Sequence, residues 1–218
     1  MHLFYLHGFA SSPASTKAAA FGERFGARGL TFHCPDLNEP DFSTLTITRM
    51  IEQVESAIAA APASPVVLVG SSLGAFVAVH VTARQPAGSP SPITRLVLLA
   101  PALDFGGNRM RELGPEGIAR WRDTDRLDVL HYAYGEVVPL RYALYEDAAR
   151  YDALSLPIGV PALVFQGTRD HVVDPGMVER WARPRANVSL RLVDDDHQLG
   201  ASLPLILDET EQFLGLDP

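Results

Sequence analysis

Short apolar runs alternate with longer helix-patterned segments along the whole chain of 218 residues. His2–Leu6, Leu30–His33, Val66–Val69, Thr94–Ala100, Ala162–Gln166 and Val188–Val193 read as strands. Pro13–Arg28, Thr44–Ala60, Leu73–Arg84, Pro175–Ala182 and Leu199–Leu214 read as helices. Thr44–Ala60 is the clearest of them, with Ile47, Ile51, Val54 and Ile58 on one face. No tight turn joins one of these strands to the next, so they must pair in parallel through helical crossovers. Right-handed crossovers then predict an α/β fold: a doubly wound, mainly parallel six-stranded sheet covered on both faces. In such sheets ligands lie beyond the carboxyl ends of the strands. The polar residues just after each strand therefore decide what chemistry is available.

One stretch, from about 104 to 156, breaks the alternation. It holds Trp121, Tyr132, Tyr134, Tyr142, Tyr145 and Tyr151. Val129–Tyr134 and Val137–Tyr142 flank Gly135-Glu136, the pattern of a small hairpin. The stretch follows the fourth strand, at the end of the sheet where binding residues gather, and predicts a cap that shapes a pocket. The plain alternative is a packing elaboration. No repeat, linker or low-complexity tract interrupts the chain, so residues 1–218 read as one domain carrying this insertion.

Charge and cysteine usage narrow the partners. A net charge of −8 gives no electrostatic footprint for nucleic acid or an anionic membrane. Cys34 is the only cysteine, so no intrachain disulfide can form. The N-terminus enters an apolar strand pattern with no charged n-region and no small-residue cleavage site, and no apolar run approaches the roughly 20 residues of a membrane helix. The expected location is the cytoplasm. No motif calls for a cofactor, and no cluster has metal-ligand spacing.

After the third strand comes Gly70-Ser71-Ser72-Leu73-Gly74, which matches G-x-S-x-G with Ser72 at its centre. A strand that turns at once into a helix strains its turn residue and leaves no room for side chains two positions away. Glycines stand at both of those positions if Ser72 is central; if Ser71 were, Val69 and Leu73 would occupy them. The helix behind offers backbone N–H groups and a partial positive charge to a developing anion. A phosphate-cradling loop would need a lysine after the second glycine, and Ala75 stands there.

A reactive serine needs a base, and the base needs an orienting carboxylate. His197 follows the last strand, and His171, after the fifth, is its rival. Asp170 follows the fifth strand in Gln166-Gly167-Thr168-Arg169-Asp170. Asp174 suits the role of cap to the helix opened by Pro175, and Asp104 is the weaker alternative acid. His7-Gly8-Phe9 follows the first strand. Gly8 allows close backbone approach, and the N–H groups of Phe9 and Leu73 are the expected pair of oxyanion donors. His7 is expected to hydrogen-bond within its loop. His2, His33, His80 and His131 are expected to be structural.

The order Ser72, Asp170, His197 and the strand placement of each resemble the α/β-hydrolase superfamily over nearly the whole chain. The two antiparallel strands that commonly open that fold have no counterpart. Tyr5-Leu6-His7-Gly8-Phe9-Ala10-Ser11-Ser12-Pro13-Ala14-Ser15-Thr16-Lys17 is similar to the opening of the small bacterial YqiA-like esterases. Gly167-Thr168-Arg169-Asp170 resembles their acid motif. The resemblance implies a serine esterase or thioesterase acting on a small acyl substrate without cofactor or metal. Acyl transfer or perhydrolysis would use the same residues, and a hydrolase-like binding protein is the non-catalytic alternative. The long aromatic insertion departs from a minimal member.

Overall fold

The computed structural model describes residues 1–85, 92–107 and 112–216. Residues 86–91, 108–111 and 217–218 lie outside the described residues; 108–111 fall within the expected insertion and 217–218 end the expected domain.

Six strands form one sheet: β1 (His2–Leu6), β2 (Thr31–His33), β3 (Val66–Ser71), β4 (Ile93–Leu99), β7 (Ala162–Gly167) and β8 (Val188–Val193). Their order is β2-β1-β3-β4-β7-β8, and every pairing is parallel. The helices are α1 (Thr16–Ala27), α2 (Ile47–Ala60), α3 (Leu73–Ala83), α6 (Pro175–Ala182) and α7 (Leu203–Leu214). The chain leaves β1 in one direction to form β2 and returns past β1 to form β3. Right-handed crossovers therefore put α1 on one face and α2 on the other.

The period of two along the strands sorts the core into those two faces. Leu3 and Tyr5 of β1, with Val67 and Val69 of β3, pack with Phe21 and Phe25 of α1 and Ile206 of α7. Phe4, Leu6, Val66 and Leu68 pack with α2, α3 and α6. Helix α3 is buried on all sides from Leu73 to Thr82, because it lies between the sheet, α2 and the insertion. That explains why its sequence carries no polar face.

The insertion lies between β4 and β7. It contains α4 (Gly114–Thr124), the antiparallel pair β5 (Leu127–His131) and β6 (Glu136–Leu140), and α5 (Ala143–Ala148). The hairpin exists, but its turn is longer than the Gly135-Glu136 pattern suggests. His131 pairs with Glu136, and Gly135 takes the left-handed conformation at φ 70°. Two helix starts also differ from the sequence reading. Phe42–Thr44 is a separate 3₁₀ helix, and α2 begins only after Thr46, whose hydroxyl caps Arg49 N–H. Helix α7 begins at Leu203 and not at Leu199, because Leu199 is left-handed at φ 54° and Pro204 opens the first turn. Among the described residues no helix is long and apolar enough to cross a membrane. No group of three or more His, Cys, Asp or Glu among them is placed to hold a metal ion.

Candidate active site

One residue separates β3 from α3, and that residue is Ser72. Its φ of 52° and ψ of −111° place a non-glycine residue in a strained region of backbone space. A Cβ on Gly70 would lie 2.4 Å from the Cα of Ala75, and one on Gly74 would lie 2.0 Å from the carbonyl oxygen of Leu6. Both positions are closed to any side chain, as expected for a turn centred on Ser72. The bend is tied to β4: Ser72 N–H donates to the carbonyl of Leu99 at 2.9 Å, and the Ser72 carbonyl accepts from Ala102 N–H at 3.2 Å. Ser72 is left about 7% exposed.

The neighbouring strand ends bring two further side chains to this serine. His197 Nε2 lies 3.0 Å from Ser72 Oγ, and its Nδ1 lies 2.8 Å from Asp170 Oδ2. Asp170 Oδ1 accepts the N–H groups of Val172 and Val173, both at 2.8 Å. Burial pushes the Asp170 carboxyl upward, but the hydrogen bonds from His197, Val173 and Gln166 outweigh it and hold the group below the usual carboxylate range. It stays a charged acceptor, so Nδ1 of His197 donates to it and Nε2 presents its lone pair to the serine hydroxyl.

The loop after β1 completes the site from the other side. His7 is buried; its Nδ1–H donates to the Gly8 carbonyl at 3.0 Å, and its Nε2 accepts Leu37 N–H at 3.0 Å. Burial lowers its pKa, against the opposing pull of the Gly8 carbonyl and of Asp36, whose carboxylate lies 3.3 Å away. His7 thus bonds within its loop through Nδ1, as expected, while Nε2 ties that loop to the one after β2. Gly8 sits against Ser72: a Cβ there would meet Ser71 O at 3.4 Å and Ser72 Cβ at 3.5 Å. The Phe9 ring rests on Phe42 and Phe105, with centroids 5.4 and 6.3 Å away. Leu73 is the first residue of α3, where backbone N–H groups have no partner within the helix.

The rival residues fall elsewhere. His171 is exposed and lines a cavity of about 360 Å³ with Ala102, Asp104, Glu112, Asp170 and Val172. That cavity adjoins Asp170 and does not include Ser72 among its walls. Asp174 caps α6 through Gly176 N–H and Met177 N–H. His33 Nε2 and His2 Nδ1 share a hydrogen bond at 3.0 Å, at the opposite end of the sheet. Burial pushes the Cys34 thiol up to about 12, which removes it as a nucleophile.

Four features escape the sequence reading. Gln166, at the end of β7, contacts Asp170 directly. The buried Asp195 carboxylate accepts Asp196 N–H and Ser202 N–H, both at 2.8 Å, and so braces the loop that carries His197. Lys17 Nζ donates to the Gln198 carbonyl at 2.7 Å, which joins α1 to that same loop. Gly167 allows the two loops to touch, since a Cβ there would lie 2.5 Å from Asp195 O. Lys17, Gln166 and Gly167 carried a signal: Lys17 ends the opening motif, Gln166 is a polar residue in an apolar strand, and Gly167 begins the acid motif; Asp195 carried none.

Solved structures share this architecture. The chain superimposes on alpha/beta hydrolase domain-containing protein 10 from mouse with a TM-score of 0.79 and 20% identity, over 98% of this chain and 89% of that one. Est1E from Butyrivibrio proteoclasticus gives a TM-score of 0.79 and 18% identity, over 98% of this chain and 86% of the other. At such identities the likeness establishes the α/β-hydrolase fold. A sequence comparison with the curated proteins gave no match. The family model for an uncharacterised protein family, UPF0227, matches residues 2–202. With that match, the fold and the opening motif agreeing, the chain belongs to the UPF0227 family, whose YqiA-like members its first residues resemble.

Proposed function

We propose that the protein is a serine hydrolase that cleaves carboxylic esters or thioesters of small acyl substrates through an acyl-enzyme. The observation that carries this reading is the unbroken line Ser72 Oγ, His197 Nε2, His197 Nδ1, Asp170 Oδ2, with steps of 3.0 and 2.8 Å across the space.

In this mechanism His197 Nε2 takes the hydroxyl proton as Ser72 Oγ attacks the carbonyl carbon. The N–H groups of Leu73 and Phe9 stabilise the resulting oxyanion, with the N-terminus of α3 behind it. His197 returns the proton to the departing alcohol or thiol. Water, deprotonated by the same nitrogen, then attacks the acyl-enzyme, and collapse of the second tetrahedral intermediate frees the acid and restores Ser72. Asp170 holds the imidazole tautomer and stabilises the imidazolium.

The insertion acts as a cap over this centre. His131 of its hairpin packs edge-on against Phe42 at 4.6 Å, and Phe42 packs on Phe9. These packed rings join the insertion to the loop that carries Phe9, beside Ser72.

A fluorophosphonate probe and a short p-nitrophenyl ester test the reading. The wild-type protein should label at Ser72 and hydrolyse the ester, and Ser72→Ala should lose both while keeping its unfolding transition. Labelling elsewhere, or ester hydrolysis undiminished in Ser72→Ala, would overturn it.

A further inference from the structure

The Gln166 side chain is completely buried at the end of β7. Its Nε2 donates to Asp170 Oδ2 at 2.9 Å and to the Gly167 carbonyl at 3.1 Å. Both partners are pure acceptors, so the amide must turn its NH₂ toward them; the reverse would set one oxygen against two others. The cost is visible on the other side, where Gln166 Oε1 is buried with no hydrogen-bond partner among the described residues. A buried acceptor left unpaired is unfavourable, so stability alone does not account for an amide here. Its donors do.

Asp170 then receives four hydrogen bonds: two from backbone N–H groups on Oδ1, and those of His197 and Gln166 on Oδ2. Oδ2 is the oxygen that orients the imidazole. With Gln166 removed, the two contacts on Oδ1 would still anchor the carboxylate at one oxygen, while Oδ2 would be held by His197 alone. We propose that Gln166 is a positioning residue. It fixes Asp170 Oδ2 and, through it, the orientation and tautomer of His197, without touching substrate. The proposal rests on the Ser72–His197–Asp170 reading above.

The test compares wild type with Gln166→Met, which keeps the length of the side chain and removes its donors, and with the smaller Gln166→Leu. Two readouts are taken: the Nδ1 resonance of His197 in histidine-¹⁵N-labelled protein, assigned by its loss in His197→Ala, and the inactivation kinetics with a fluorophosphonate. In Gln166→Met the resonance should move and the limiting inactivation rate should fall about tenfold, with the half-saturating probe concentration within about twofold of wild type. A folded variant with both readouts at wild-type values would overturn the proposal. So would failure of both variants to fold, which would make Gln166 structural. A wild-type protein that does not label at all would instead overturn the hydrolase reading, and the resonance, which needs no turnover, keeps the two failures apart.

Discussion

The Asp147 carboxylate of the insertion holds both polar groups of Thr48 in the first turn of α2, the N–H at 2.7 Å and the hydroxyl at 2.7 Å. Thr48 N–H is one of the donors that a helix leaves unpaired at its start. Asp147 therefore caps α2 from about a hundred residues away in sequence. Tyr151 joins the same contact, its hydroxyl 2.6 Å from Thr48 Oγ1. Asp147→Ala should cost about 2 kcal/mol of stability. In urea the midpoint should fall with an unchanged slope. A double-mutant cycle with Thr48→Val, which keeps the backbone N–H and removes the hydroxyl, should give a coupling of about 1 kcal/mol, and additivity would mean that the hydroxyl contact contributes nothing.

Gly74 and Gly8 make opposite predictions although both border Ser72. Gly74→Ala forces a methyl group to within 2.0 Å of the Leu6 carbonyl oxygen, which is strand backbone and cannot swing aside. The expected loss is about 3 kcal/mol, and activity should go with it. Gly8→Ala meets only ordinary contacts, at 3.4 and 3.5 Å, yet places its methyl against Ser72. Its thermal midpoint should stay close to wild type while ester hydrolysis falls. Reversal of that ranking would mean that the approach of α3 to β1 does not govern this corner.

Much of this corner was legible in the sequence. The strands reveal themselves by apolar runs, and parallel pairing follows from the absence of tight turns between them. Ser72 is marked by what it excludes, the side chains at 70 and 74. Asp170 and His197 are marked because each lies just past a strand. The bracing around them is not legible, for a physical reason. Asp195 and Gln166 act through contacts whose geometry depends on how two loops meet, and the clearance at Gly167 exists only once those loops are packed. The left-handed backbone of Leu199, which delays α7, goes against the preference of a bulky residue and is imposed by tertiary packing. Asp147 was likewise invisible, since nothing local connects it with α2.

His80 predicts how stability depends on pH. It is buried in the middle of α3, where burial and then the nearby Arg84 charge lower its pKa to about 4, against a weaker upward pull from Asp152. Its Nε2 has no hydrogen-bond partner among the described residues. Between pH 4 and 6.5 the unfolded chain binds a proton at this site that the folded protein refuses. Stability therefore rises with pH across that window and is lost as pH falls through it. His80→Leu should remove this dependence. The stability of the variant relative to wild type should increase by about 3 kcal/mol between pH 7 and pH 4, because each tenfold loss of proton affinity is worth about 1.4 kcal/mol. Urea unfolding at the two pH values measures it, and a constant difference would mean that His80 titrates normally.

Asp170→Asn tests the tautomer directly. The two backbone N–H groups of Val172 and Val173 need an acceptor, so the asparagine oxygen must take the place of Oδ1. Its NH₂ then faces His197 Nδ1, which can no longer donate and must present a lone pair. The imidazole proton moves to Nε2, where it points at Ser72 Oγ, and the base is lost with almost no change in shape. The substituted amide also faces the donor of Gln166, so a small loss of stability is expected. Hydrolysis should fall about 10³- to 10⁴-fold in kcat, with KM changed little. A fall of less than about tenfold in a folded variant would show that Asp170 does not set the tautomer, and the acid would have to be sought elsewhere along the strand ends.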